Sequence, residues 1–136
     1  LPLFIHAANI GFMLMFTVVV APAVFKVLSQ KAAASYLRVL FPRLFMFGFV
    51  TSSIAAISSL FDSEIQITVI SAVIAFGFFF NAQILTPKIN KFRDKASGGE
   101  VAAEKAFARL HLFSVTIFGS QFLASLYLII SQTYFT

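Results

Sequence analysis

Four long apolar stretches, separated by short polar segments, dominate the pattern of hydrophobic and polar positions along the chain. They cover about residues 3–25, 42–61, 65–86 and 107–130. Each is apolar on every side of a helix, and its basic residues, Arg43 and Arg109, lie only near the ends. A helix needs about 20 such residues to cross the hydrocarbon core of a bilayer. The pattern therefore predicts one domain of four transmembrane helices.

Helices are favoured over strands because a transmembrane barrel requires repeated segments that alternate between apolar and polar residues. We therefore expect an all-α integral membrane four-helix bundle. The first stretch lacks the basic start of a signal peptide and is longer than a signal peptide's apolar core, so we expect a retained span. Because the chain starts at Leu1 and not at methionine, we also expect a residue or segment to precede it in the full protein.

Composition agrees with a lipid environment. Apolar residues make up 60% of the 136 residues and charged residues only 11%, whereas soluble domains carry about 25% charged residues. We therefore expect the lipid bilayer to be the main partner. The net charge of +5 does not predict nucleic-acid binding, since no basic stripe alternates with exposed aromatic residues. Cysteine is absent, which excludes disulfides and thiolate metal sites.

The charged residues predict the orientation. All ten basic residues flank the first and third connections, whereas the short second connection holds only Asp62 and Glu64. Basic connections stay on the cytoplasmic side of a membrane, so both termini are expected on the non-cytoplasmic side. The expected location is a bacterial inner membrane or the inner membrane of an organelle. The basic residues are Lys26, Lys31, Arg38, Arg43, Lys88, Lys91, Arg93, Lys95, Lys105 and Arg109.

A polar layer is predicted towards the basic side of the membrane. At 1.5 Å per residue, four polar residues fall at similar depths there: Asn81, Gln83, His111 and Ser114. Prolines occur at the same level and would each free a backbone carbonyl one turn earlier; they are Pro22, Pro42 and Pro87. The layer either ties the helices together or forms a small vestibule for an ion, a lipid headgroup or a proton.

The two histidines cannot share one site. His6 is predicted on the outer side of the membrane and His111 on the inner side, on the order of 20 Å apart along the membrane normal. Ligands of one metal or haem must lie within a few ångströms of it. We therefore predict no metal site and no cofactor. Haem or pigment binding by either histidine with a partner chain remains an alternative.

Catalytic chemistry is not expected. The spans contain no carboxylate, and no nucleophile lies in an order that suggests a catalytic triad. A proton relay inside a membrane usually needs such a carboxylate. The sequence therefore predicts a protein that is not an enzyme, and it identifies no catalytic residue.

The third connection contains a candidate helix start. Ser97 and Glu100 have the spacing of a capping box, which predicts that the last helix begins near residue 98; a flexible glycine loop is the alternative. The first and third connections are long enough to be partly helical. A weak internal repeat relates the segment at Pro22 to the segment at Pro87, so the two hairpins are candidates for a parallel duplication.

Several motifs, in order, resemble the transmembrane protein 205-like family over nearly the whole chain. They are His6, Gly11, Pro22 and Phe25, then residues 41–45 (FPRLF), then Asn81 with residues 87–93 (PKINKFR), then residues 107–115 (FARLHLFSV). Bacterial, plant and animal members carry this domain of unknown function. The resemblance implies four transmembrane helices and no established enzyme activity; animal members are linked to resistance to platinum drugs. This chain differs from the family at Leu44, often an aromatic residue, and at Phe118, often an asparagine.

Two functional hypotheses follow. The first is a non-catalytic accessory or structural subunit that packs against other membrane protein subunits of a larger complex. The second is a small transporter or resistance protein that uses the polar layer around Asn81, His111 and Ser114. Interaction partners found after mild extraction would favour the first hypothesis, and loss of transport on Asn81→Ala and His111→Ala would favour the second.

Overall fold

The chain folds into four long helices joined by short connections. The computed structural model describes residues 1–135. The helices are α1 Pro2–Val27, α2 Gln30–Phe61, α3 Ile65–Ser97 and α4 Val101–Tyr134. Each is long and apolar enough to cross a membrane, which indicates a membrane protein. Every predicted span lies within one helix, so the predicted all-α four-helix bundle is confirmed.

The four helices surround a common core. Helix α1 contacts α2 and α4, α2 packs along α3, and α3 packs against α4. Met13, Phe45 and Phe78 come from three different helices and meet in the core, and Phe118 of α4 packs against them. Because the connections are short, neighbouring helices in sequence run antiparallel and are also neighbours in space.

The interior of the bundle is more polar than its outside. His6, Asn9 and Asn81 are fully buried, whereas Phe4 is 75% exposed and Phe76 is 67% exposed. In water the opposite distribution would be expected. In lipid, polar groups turn to the interior because only other protein groups can hydrogen-bond them there. The distribution is therefore that of a surface built to contact hydrocarbon.

Two of the chain's four prolines, Pro22 and Pro87, follow a widened segment of helix. The stretches Met15–Val20 and Asn81–Leu85 are π-helical and end two residues before Pro22 and Pro87, respectively. In a π-helical segment each amide bonds to the carbonyl five residues back. The wider turn makes room for the proline ring, which in an α-helix clashes with the carbonyl four residues back. Pro42 lies inside the α-helical part of α2. The two segments proposed as a repeat thus share a local structure.

Three helices extend beyond the predicted spans at the end of the bundle that carries the basic residues. Helix α2 begins at Gln30, where the hydroxyl of Ser29 accepts a hydrogen bond from the amide of Ala32 at 3.2 Å. Helix α3 continues to Ser97, and α4 begins at Val101. The prediction that the first and third connections are partly helical is therefore confirmed. We call this end, residues 26–43 and 87–109, the basic end.

The predicted capping box is wrong. Ser97 is the last residue of α3, and no side chain caps the start of α4 at Glu100. The glycines end α3 instead: Gly99 has a φ of +96°, and the amide of Glu100 bonds to the carbonyl of Lys95 at 3.2 Å. A glycine in the left-handed conformation is a common way to end a helix, and it satisfies the last carbonyls without help from Ser97.

Candidate functional site

The predicted polar layer lies towards the basic end, which we call the inner end of the bundle, and it is built around one pair of side chains. The hydroxyl of Ser114 on α4 donates to Oδ1 of Asn81 on α3 at 2.6 Å. Nδ2 of Asn81 donates in return to the backbone carbonyl of Ser114 at 3.4 Å. Both residues are buried. The pair therefore ties α3 to α4, as the structural interpretation of the layer requires.

The other two members of the predicted layer do not join this pair. Gln83 is exposed, and its amide nitrogen lies 3.6 Å from the sulfur of Met46. His111 is also exposed, and its ring stacks on Phe107 of the same helix with 5.8 Å between the centroids. The structure thus brings together Asn81 and Ser114 and places Gln83 and His111 on the outside of the bundle.

His6 is the centre of a second polar cluster, towards the end of the bundle opposite the basic end, which we call the outer end. Its Nε2 lies 2.8 Å from the hydroxyl of Ser71 on α3, and its Nδ1 lies 3.1 Å from the hydroxyl of Ser125 on α4. A neutral imidazole donates from one nitrogen and accepts at the other, so both hydroxyls are suitable partners. One side chain of α1 thus holds α3 and α4 together.

Ser71 and Ser125 were not predicted, because the predicted polar layer lies towards the basic end and His6 was the one candidate towards the opposite end. The signal was present, since Ser71 and Ser125 lie within about 5 Å of the predicted depth of His6. The structure also keeps the two histidines apart. Ser125 follows His111 on α4 by roughly 20 Å of helix, so His6 and His111 belong to different sites.

A third set of interhelical hydrogen bonds joins α1 to α2. Asn9 donates from Nδ2 to the hydroxyl of Ser52 at 3.0 Å and accepts at Oδ1 from the hydroxyl of Thr51 at 2.7 Å. Asn9 and Ser52 are fully buried. Asn9 lies one turn from His6 on α1, so the outer half of the bundle is tied through α1 to all three other helices.

Gln121 is the least satisfied polar residue of the interior. Its Nε2 donates to the backbone carbonyl of Ile74 at 2.8 Å, but its Oε1 is buried with no donor among the residues that the structure describes. Phe78 and Phe118, which pack edge to face at 6.5 Å, lie between this level and the pair of Asn81 and Ser114. The outer and inner polar groups are thus separated by aromatic rings.

The chemistry available to these groups is limited. No Asp, Glu, Lys or Arg is buried within residues 1–135, and no group of three or more metal-ligating side chains occurs there. Asparagine, serine and a hydrogen-bonded histidine serve as hydrogen-bonding groups, and in these positions they bond one another across helices.

A shallow apolar groove runs along the outside of α2 and α3. It has a volume of about 450 Å³ and is lined by small residues and by aromatic residues. Ser53 is partly exposed in this groove and makes no side-chain hydrogen bond to any described residue. The residues that line it are Phe49, Ser53, Ala56, Ile57, Ala72, Ala75, Phe76 and Phe79.

The comparison with known families identifies the chain. A domain of unknown function, DUF4149, matches residues 4–97, which is more than half of the sequence. The chain belongs to the DUF4149 family. No curated protein and no solved structure matches the chain.

The DUF4149 match covers nearly all of α1 and the whole of α2 and α3. It therefore includes His6, Asn9, Ser71 and Asn81, which supply one side of each interhelical polar cluster. The partners of these residues on α4 lie beyond the DUF4149 match; they are Ser114 and Ser125. Asn9, by contrast, finds both of its partners within the matched part of the chain.

Proposed function

We propose that this protein is a non-catalytic accessory or structural subunit of a larger membrane complex, and that it is related to the transmembrane protein 205-like family. The observation that carries this proposal is the pairing inside the bundle. His6, Asn9 and Asn81 are all bonded to side chains of neighbouring helices, so the polar groups serve to hold the helices in register. A rigid module with an apolar exterior suits assembly within a membrane.

The groove along α2 and α3 is the proposed docking surface, and its proposed occupant is a transmembrane helix of a partner subunit. Helices in membranes associate where small residues allow close approach and where polar side chains bond across the contact. The groove is lined by Ala56 and Ala72, and by Ser53, whose hydroxyl has no hydrogen-bond partner among the described residues. A lipid chain can fill such a groove but offers nothing to hydrogen-bond Ser53.

Co-purification tests this proposal. The tagged chain, extracted from its native membrane in a mild detergent, should bring a stoichiometric membrane partner. Ala72→Phe fills the groove and should remove that partner. Val73→Phe is the matched control, because Val73 is the next residue, 65% exposed and outside the groove. Recovery of the chain alone, or the same partner with both variants, would contradict the docking proposal.

We propose that both termini lie on the non-cytoplasmic side and that the basic end faces the cytoplasm, or the equivalent compartment of an organelle. The ten basic residues support this orientation through the positive-inside rule. In a chain that has no cysteine of its own, a cysteine introduced at Ser97 should react with an impermeant reagent from the cytoplasmic side only, and one introduced at Ser63 from the other side only. Labelling of both from one side would contradict the orientation.

A second candidate function is a small transporter or resistance protein. The observation that favours it is Oε1 of Gln121, an acceptor inside the bundle that has no donor. In that case Asn81→Ala and Gln121→Met should each reduce flux or resistance at unchanged protein abundance. An unchanged phenotype in both variants would contradict transport and favour the accessory role. In a separate measurement, a visible absorption band of the purified protein would indicate a haem or pigment bound by His6 or His111.

A further inference from the structure

The basic end contains a cationic cluster that the accessory role does not use. Arg38 of α2 bonds to Asp94 of α3 through both guanidinium nitrogens, at 2.6 and 3.3 Å. Arg93, the residue before Asp94, lies close enough to Arg38 for their charges to repel each other. The Asp94 carboxylate thus lies near two guanidinium groups but hydrogen-bonds only that of Arg38, and the cluster keeps a net positive charge.

Arg93 is held in place by an aromatic ring and not by an acid. Its guanidinium lies 5.1 Å from the centre of the Phe107 ring on α4, and the side chain is half-buried. It makes no hydrogen bond to any residue that the structure describes. Stacking on a ring occupies the face of a guanidinium and leaves the N–H donors at its edge free for a planar or tetrahedral anion.

The position of this cluster matches the headgroup layer of a bilayer. Phe107 begins the last apolar stretch, so the guanidinium stacked on it lies where hydrocarbon gives way to headgroups. Side chains of a helix point back towards its N-terminus, which directs Arg93 from α3 towards the membrane. The ten basic residues of this end face only three acids, which are Asp94, Glu100 and Glu104.

We propose that Arg93 and Arg38, supported by the ring of Phe107, bind the phosphate group of an anionic glycerophospholipid at the basic end. The free edge of Arg93 donates to two phosphate oxygens, as guanidinium groups do at phosphate sites. The added negative charge removes the repulsion between the two arginines. Basic pockets between transmembrane helices on this side of a membrane are known to suit such headgroups.

Lipid binding by the purified full chain tests this site. The chain, stripped of lipid in a neutral detergent, is titrated with phosphatidylglycerol, and binding is followed by native mass spectrometry. The matched variants are Arg93→Gln and Lys95→Gln, because Lys95 also lies over a ring, Phe92, at 5.7 Å. Arg93→Gln should weaken binding about five- to tenfold, because it removes both the cation in direct contact with the phosphate and its paired hydrogen bonds, whereas Lys95 is not in the proposed contact. Lys95→Gln should weaken it by about twofold or less.

Two further titrations distinguish a lipid headgroup from free phosphate as the ligand. Phosphatidylcholine, titrated in the same way, should bind clearly more weakly than phosphatidylglycerol, and millimolar inorganic phosphate should not displace the bound lipid. Arg93→Lys, which keeps the charge but not the paired donors, should fall between the wild type and Arg93→Gln and also guards against a folding defect. Equal losses in Arg93→Gln and Lys95→Gln, equal binding of the two lipids, or displacement by inorganic phosphate would overturn the proposal.

Discussion

Gly48 of α2 lies directly against the ring of Phe78 of α3. A Cβ built on Gly48 would stand 2.7 Å from three carbons of that ring, which is well inside van der Waals contact. Phe78 is fully buried and also packs against Phe12 and Phe118, so its ring has no free space to move into. The close contact of α2 and α3 therefore depends on the absence of a side chain at position 48.

Gly48→Ala should destabilise the bundle by about 1–3 kcal/mol, the usual cost of inserting atoms into a packed core. Gly119→Ala is the matched control, because a Cβ there meets nothing within 4 Å; it should stabilise by about 0.5–1 kcal/mol through helix propensity. Unfolding by SDS in mixed micelles measures both changes. Equal stability of the two variants would show that Phe78 can move aside.

His6→Ala should destabilise the fold by about 2–4 kcal/mol, because it leaves a cavity and removes the hydrogen-bond partner of two buried hydroxyls. His111→Ala is the control, since His111 is exposed on α4 and should cost about 0.5 kcal/mol or less. The same SDS titration distinguishes the two. A loss of stability in His111→Ala as large as in His6→Ala would contradict the assignment of the outer cluster.

Asn81 and Ser114 should show a coupling energy of about 1 kcal/mol in a double-mutant cycle made from their alanine variants, within the range measured for interhelical bonds in membranes. Gln83→Ala combined with Ser114→Ala should be additive, because Gln83 is exposed and bonds elsewhere. Stability of the four variants of each cycle gives the coupling. A coupling of zero for the first pair would argue that Ser114 rebonds within its own helix.

Gln121→Met should change the stability by no more than about 1 kcal/mol in either direction, because removing an acceptor with no donor among the described residues offsets the loss of the hydrogen bond from Nε2 to the carbonyl of Ile74, and the volume of the side chain is kept. Gln121→Ala should destabilise instead, since it opens a cavity beside Gly77. Thermal denaturation in detergent compares the two. A marked destabilisation by Gln121→Met would indicate that an internal water donates to Oε1 of Gln121.

The structure shows the role of Phe118, a residue at which this chain differs from the transmembrane protein 205-like family. Phe118 packs against Phe45 and Phe78 at 6.3 and 6.5 Å between ring centroids, so it belongs to the aromatic layer that separates the outer and inner polar groups. An asparagine at this position would add a hydrogen-bonding group between Gln121 and the pair of Asn81 and Ser114. In this chain the middle of the bundle is apolar.

The amino-acid sequence by itself determined the four helices, their approximate bounds and the gathering of every cation at one end. The physical reason is the free-energy cost of placing a charge in hydrocarbon. Because of this cost, the apolar segments must span the bilayer and the charged segments must lie outside it. The sequence also predicted a disturbed helix at Pro22, Pro42 and Pro87, because proline removes a backbone donor; π-helical stretches lie before Pro22 and Pro87, whereas Pro42 lies in regular α-helix. These features depend on composition and local chemistry alone.

Only the tertiary structure decided which face of each helix points inward. In a water-soluble bundle an apolar stripe marks the buried face, but here the outer faces contact hydrocarbon and are as apolar as the core, so no stripe exists. The position of each residue along its helix was therefore predictable, but the direction in which its side chain faces was not. For this reason His111 and Gln83, at the predicted depth, lie outside, whereas Ser71, Ser125 and Gln121 complete the interior.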